Sequence, residues 1–421
     1  MVFIKEHLEN GIRIVAEEIK YVNSISIGIW VKTGSRYENI SNNGVSHFIE
    51  HMLFKGTKNR TAKDIASSID KIGGQLNAFT SKECTCFYAK VLDSHFDIAL
   101  EILCDMFLNS CFSEKEIEKE KGVVLEEISM YEDSPEDLVH DILTQTVWAN
   151  NPLGMSILGT EDTLSNLTRK DIIDYLKNNY TSKNIVISLV GNFDKDSTLK
   201  KISNAFNEYN TYDTKRENGL SPRFISKNTH KYKETEQVHI CIGYEGIELG
   251  SKYTYPLLVM NNIFGGSMSS RLFQKIREER GLAYSVFSYP SSYIGCGLFS
   301  IYAGMKPSQV ETVLSIIDNE INELRNNSIT SQELYDSKEQ LKGSYILGLE
   351  STSGRMISIG KSELLLDRIY SPKEIIKLID LVTIDDIRYV INNIFDDNNK
   401  GTAIIGPESA NAENNFFTSI K

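Results

Sequence analysis

Three segments in the first half of this chain recur in the same order in the second half. That duplication restricts the possible folds more than any other feature. SISIGIWVKTGSRYE (24–38) resembles VHICIGYEGIELGSKY (238–253), and both read as alternating apolar strands that end in a Gly-Ser turn, a basic residue and a tyrosine. SEKEIEKEKGVVL, from Ser113, is matched by TSQELYDSKEQL, from Thr330. Ser113 with Glu116, and Thr330 with Glu333, are each spaced for a capping box that opens a helix. The third pair is TRKDIIDYLKNNYTSKNIVISLVGN (168–192) and TIDDIRYVINNIFDDNNKGTAIIGP (383–407). Each is a capped amphipathic helix, a polar turn and a β-branched strand ending at Gly191 or Gly406. The anchors are all offset by about 216 residues, half of the 421-residue chain.

Each half therefore reads as an α+β unit, a mostly antiparallel sheet with helices over one face. Asn10-Gly11 between two strand-like runs predicts an antiparallel hairpin at the start. The polar stretch DTKRENGLSPRF, with Gly219 and Pro222 and no periodicity, predicts a linker at 213–224 between domains at 1–212 and 225–421.

The formal charge of −12 argues against nucleic acid or an anionic membrane as partner. No run of about 18 apolar residues exists to span a bilayer. The segment MVFIKEHLENG has neither the apolar stretch of a secretory signal nor the arginines of an organellar one, so the expected location is cytoplasmic. The six cysteines show no CxxC spacing and read as buried or half-buried thiols of a reducing compartment, with Cys84 and Cys86 on one face of a strand.

After the second strand, NNGVSHFIEHMLFKGT predicts a helix that Ser46 can cap. His47 and His51, four apart, lie one turn above each other and can reach a common cation. Glu50 shares their face, where a carboxylate can take the proton from a metal-bound water whose pKa has fallen to about 7. This HxxEH order is the inverse of the more familiar HExxH. The bland alternative is a helix whose histidines make ordinary hydrogen bonds. A third donor is expected on the acidic helix from Ser113, which carries Glu120 and Glu127 on one face and Glu126 turned away; spacing does not choose among them. At the repeat offset, His47, Glu50 and His51 correspond to Ile263, Gly266 and Ser267, and Glu120 and Glu127 to Ser337 and Ser344. Residues needed only to stabilise the fold would be expected in both copies, so their single occurrence favours chemistry.

With these motifs in view, the chain resembles the inverted-motif zinc peptidases, the superfamily of pitrilysin, insulin-degrading enzyme and mitochondrial processing peptidase. It is most similar to the short bacterial processing-peptidase-like members, and the resemblance covers essentially the whole chain. It implies zinc bound by His47, His51 and Glu127, with Glu50 as general base and Glu120 supporting the ligands. GGQLNAFTSKECTCFY (73–88) resembles the family's edge strand, to which substrate adds as a further strand, with Asn77 and Ala78 contacting the peptide. SSRLFQKIREERGLAYSVFSY resembles the segment whose Arg/Tyr pair binds substrate backbone and steadies the oxyanion, here Arg277 and Tyr284. Two domains arranged as a clamshell, endopeptidase action on short or unfolded peptides, and a homodimer follow as expectations. The rival readings are a scaffold subunit of the same fold without catalysis, and a peptidase that needs a separate partner chain.

Overall fold

The computed structural model describes residues 3–209 and 222–407. Most of the expected linker, residues 213–221, therefore lies outside the described residues. Two sheets form, one per copy of the repeat. The first contains β1 (Ile4–His7), β2 (Arg13–Glu18), β3 (Ser24–Val31), β4 (Gln75–Thr80), β5 (Thr85–Leu92) and β6 (Ile185–Gly191) in the order β1-β2-β6-β3-β5-β4. The second contains β7 (Asn228–Tyr232), β8 (Val238–Glu245), β9 (Ala283–Tyr293), β10 (Cys296–Met305) and β11 (Lys400–Gly406) in the order β7-β11-β8-β10-β9.

The duplication is visible strand by strand. From β2 to β4 the first sheet repeats the order of the second, including a single parallel pair, β2 with β6 and β7 with β11. The remaining pairs are antiparallel, as the hairpin at Asn10-Gly11 led one to expect.

The strand β3 shows what the alternation in SISIGIWV encodes. Ile25, Ile27, Ile29 and Val31 enter a core with Phe48, Ile49 and Met52 of α1 (Val45–Leu53) and Leu100 and Leu103 of α3 (Phe96–Asn109); α2 (Ala62–Asp70) lies between these two helices in the chain. Burying each such side chain stabilises the fold by about 1.5–3 kcal/mol. Ser26, Gly28 and Trp30 point the other way, and that face is covered too, contrary to the expected single helical layer. The covering helix is Thr352–Leu366, from the second half of the sequence. Small side chains admit it closely: Ser26 Oγ lies 2.9 Å from Thr352 Oγ1, and a Cβ on Gly360 would meet the Trp30 ring at 2.2 Å. Buried Glu17 accepts from Arg355 at 2.6 Å, and Glu363 pairs with Lys5 at 2.5 Å.

The second sheet is served in the same way by a helix of the first half. After α4 (Glu114–Glu132) comes α5 (Pro135–Val147), whose Leu138, Val139, Leu143 and Val147 pack with Cys241, Leu298, Ala403 and Ile405. The compact units consequently cut across the contiguous halves 1–212 and 225–421. One unit is 1–129, 155–219 and 347–371; the other is 130–154, 220–346 and 372–421. Neither helix pattern carries an address, because an apolar stripe fits either of two similar sheets.

Two smaller expectations are corrected here. Cys84 precedes β5 rather than sharing it with Cys86, and Cys111 is exposed while Cys84, Cys86, Cys104 and Cys241 are buried. Of the two expected capping boxes, Thr330 and Glu333 form theirs reciprocally, whereas Ser113 only accepts from the Glu116 amide at 3.4 Å.

Candidate metal centre

The helix α1 begins at Val45, two residues earlier than a Ser46 cap requires. Gly44 occupies the cap position at φ +94°, and Ser46 lies inside the first turn with its hydroxyl 2.8 Å from that of Tyr175. The helix is amphipathic and short, and it buries Phe48, Ile49, Met52 and Leu53 against the sheet. That burial fixes which face remains for His47, Glu50 and His51.

The two imidazoles lie 4.6 Å apart between ring centroids. Opposite them, α4 brings up Glu127, whose Oε2 is 3.8 Å from His47 Nε2 and 3.6 Å from His51 Nε2. Three donor atoms from His47, His51 and Glu127 fall within 4.8 Å of one another, the one such group among the described residues. Glu126, the neighbour on α4, is exposed. The spacing of seven therefore does what a two-turn repeat allows: Glu127 meets the Nε2 side of both histidines and Glu120 the Nδ1 side of His51.

Glu120 is 1% exposed; His51 Nδ1 lies 2.8 Å from its Oε1 and Lys55 Nζ 2.7 Å from its Oε2. Burial would raise this carboxyl, but the bonds from His51 and Lys55 outweigh it and hold Glu120 below its ordinary value. The ionised carboxylate thus keeps the proton of His51 on Nδ1 and leaves Nε2 as a lone-pair donor. For His51 itself burial acts downward, and the bond to Glu120 raises it overall. Burial, assisted by the nearby His51, pushes His47 down to about 4, so this imidazole is neutral near pH 7.

Two imidazole nitrogens and one carboxylate oxygen are a donor set suited to a divalent ion such as zinc. Bonds of about 2.0–2.2 Å in a tetrahedron separate donors by roughly 3.3–3.5 Å, close to the spacings found here. The residues present fit such an ion.

Glu50 completes the cluster. Thr80, the last residue of β4, donates to its Oε2 at 2.5 Å. Burial raises the Glu50 carboxyl above its ordinary value, Glu127 adding to the effect while the Thr80 bond and His51 oppose it. Neither Thr80 nor Lys55 was expected from the sequence. Thr80 could have been found from the strand's period of two, which places it on the side of Ala78 and Leu76, and Lys55 from its place one turn beyond His51.

The strand β4 is an edge strand, paired only with β5 among the described residues, and Asn77 on it is exposed. The Asn77 Oδ1 accepts from the Ala78 amide at 2.8 Å. In the second unit, Arg277 sits on a π-helical turn, Phe273–Glu278, that Gly281 closes before β9. Its guanidinium carbon is 5.1 Å from the centre of the Tyr284 ring, which is 77% exposed. The Arg277–Tyr284 pair is thus assembled locally. It belongs to the other compact unit from the histidines.

Comparison with known proteins identifies the family. Residues 13–161 match the family model described as insulinase (peptidase family M16), and residues 166–341 that described as the peptidase M16 inactive domain. Among curated relatives, the zinc protease YmxG of Bacillus subtilis is 46% identical over 400 residues, covering 95% of this chain and 97% of that one. A zinc protease of Streptomyces coelicolor is 40% identical over 407 residues, covering 95% and 88%. The crystal structure of a protease from Helicobacter pylori superposes with a TM-score of 0.91 at 23% identity, over 96% of this chain and 99% of that one, a likeness of fold. The donors lie wholly in the first matched segment, and the segment without them matches the model named inactive; by sequence and by its two-sheet fold, this chain belongs to the M16 (insulinase) family of peptidases.

Proposed function

We propose that this chain is a zinc-dependent endopeptidase that hydrolyses short or unfolded peptides. The observation that carries the reading is the convergence of His47 Nε2, His51 Nε2 and a Glu127 oxygen within 4.8 Å. Bound by these donors, zinc would supply a Lewis acid and a water acidified to about pKa 7. The names of the curated relatives, zinc proteases of Bacillus subtilis and Streptomyces coelicolor, support that choice of ion.

Glu50 is the general base on this reading. It is partly buried and anchored by Thr80, so its carboxylate is held in one orientation. A carboxyl raised above its ordinary value takes a proton from water more readily and can return it to the leaving amine. Glu120 fixes the ring of His51, and Lys55 offsets the buried charge.

The free edge of β4 suits main-chain pairing with an extended peptide, and such pairing holds a substrate with little regard for its sequence. Asn77 and Ala78 would contact that peptide. Arg277 and Tyr284 would bind its backbone and steady the negative charge on the carbonyl oxygen. A pair of chains as the working form rests on resemblance to family members that act in pairs.

The test is zinc content, with and without a chelator, read beside cleavage of a fluorogenic basic peptide. Glu50→Gln is expected to retain zinc while losing about 10²–10⁴ in turnover. Undiminished cleavage in that variant would remove Glu50 as base, and cleavage surviving complete removal of metal would remove the mechanism.

A further inference from the structure

We infer that Glu38 is a positioning residue of the metal centre: its buried carboxylate caps α1 from outside the helix and holds the turn that carries His47 in line with His51 and Glu127. The inference rests on the reading of that centre as a metal site.

The cap has to come from elsewhere. Gly44 occupies the cap position of α1 with no side chain to offer, and its left-handed φ disfavours any other residue. Space forbids one as well, since a Cβ on Gly44 would lie 2.7 Å from the carbonyl oxygen of Leu158. The amides of the first turn would be left without the usual Ser, Thr, Asn or Asp acceptor.

Glu38 takes that place. It is 4% exposed and follows the turn after β3. Its Oε1 accepts from the Ser46 amide at 2.8 Å; its Oε2 accepts from the Gly44 amide at 2.8 Å and from Asn43 Nδ2 at 2.9 Å. Asn43 also donates to the Ser156 carbonyl at 2.8 Å, tying the entry of α1 to the neighbouring loop. A negative charge at a helix N-terminus is favourable in itself. Both oxygens face N–H donors, so an amide in place of the carboxylate would set its own N–H against one of them.

The second copy of the repeat is an internal control. At the offset of 216, Glu38 corresponds to Thr254, which is the first residue of the helix Thr254–Phe264. There the turn Gly250-Ser251-Lys252-Tyr253 runs straight into the helix, with the Leu257 amide bonded to the Tyr253 carbonyl and no side-chain cap at Tyr253 among the described residues. The half without metal donors thus starts its helix directly. The half with them interposes a seven-residue loop, residues 38–44, and a buried carboxylate, and so sets where the first turn of α1 begins.

The experiment measures zinc affinity of metal-free protein by competition with a chelator, together with amide hydrogen exchange over residues 45–47, for wild type, Glu38→Gln, Asn43→Ala and Thr61→Ala. Thr61 caps α2 through its own capping box and serves as the control for loss of a helix cap. Glu38→Gln should bind zinc about tenfold more weakly, the lower end of the effect of removing a group that orients metal ligands. It should also speed exchange at residues 45–47. Asn43→Ala should shift both in the same direction by less, and it decides the matter if Glu38→Gln does not fold. Thr61→Ala should leave zinc affinity unchanged. Wild-type zinc affinity in Glu38→Gln, or in Asn43→Ala where it stands in, overturns the inference, as does an equal loss in Thr61→Ala. Absence of zinc binding by the wild type is a different result, which overturns the metal centre and this inference together.

Discussion

Glu120 and His51 are 69 residues apart in sequence, and a 2.8 Å bond from imidazole Nδ1 to a carboxylate that is 1% exposed joins them. The bond fixes both the tautomer and the tilt of the ring. Lys55, 2.7 Å from the other carboxylate oxygen, keeps that buried charge ionised. Replacing Glu120 with Gln should therefore weaken zinc binding by about 10–100-fold. Equal zinc affinity in the two proteins, measured by chelator competition, would show that His51 needs no such partner.

Arg277 and Tyr284 form their contact within the second unit, away from any metal donor in the sequence. Arg277→Ala should lower kcat/KM by about 10²–10³, the usual effect of losing one donor to a developing oxyanion. Its zinc content should equal that of wild type. Metal loss in this variant, measured by elemental analysis, would contradict a role toward substrate.

A pH effect on stability follows from His140, which is half-buried between α5 and the second sheet. Burial pushes this imidazole down to about 4, and Tyr289 Oη lies 2.6 Å from its Nδ1. The unfolded chain takes up this proton near pH 6.5, while the folded chain resists it until about 4. Folding is therefore favoured fully above pH 6.5 and progressively less down to about 4, with no further loss from this group below that. His239, also lowered by burial, acts with the same sign. Melting temperatures between pH 7.5 and 4.5 should fall less steeply for His140→Asn than for wild type; parallel slopes would refute the assignment.

The helix Thr352–Leu366 meets the first sheet through glycines of unequal tolerance. A Cβ on Gly360 would sit 2.2 Å from Trp30 Nε1, which donates to Ser188 Oγ at 2.8 Å in a fully buried site. A Cβ on Gly28 would meet the flexible end of Met356 at 2.6 Å and Trp30 Nε1 less closely, at 3.1 Å. Gly360→Ala should thus destabilise the fold by about 1–3 kcal/mol, and Gly28→Ala by less. Chemical denaturation of both variants checks the order, and a neutral Gly360→Ala would mean the helix packs elsewhere.

Much of this protein is written in local pattern. Side-chain periods of two and 3.6 and the three repeated anchors determined two α+β units, because those periods depend only on backbone geometry. The four-residue spacing of His47 and His51, and the seven-residue spacing of Glu120 and Glu127, likewise determined which side chains share a helical face. The choice of Glu127 from among the acids of α4 came first from resemblance to a family. Its distance to both imidazoles, which supports that choice, came only with α4 seen against α1, since helix spacing says nothing about a neighbouring helix. The tertiary structure alone decided two matters: which sheet each donated helix covers, and that Glu38 rather than Ser46 caps α1. The first depends on contact between segments distant in sequence, where two similar sheets offer an amphipathic helix nearly the same apolar face; the second depends on how loop 38–44 folds back onto the helix it precedes. Small residues such as Ser26, Gly28 and Gly360 resolve that ambiguity by shape, which becomes visible only when the surfaces meet.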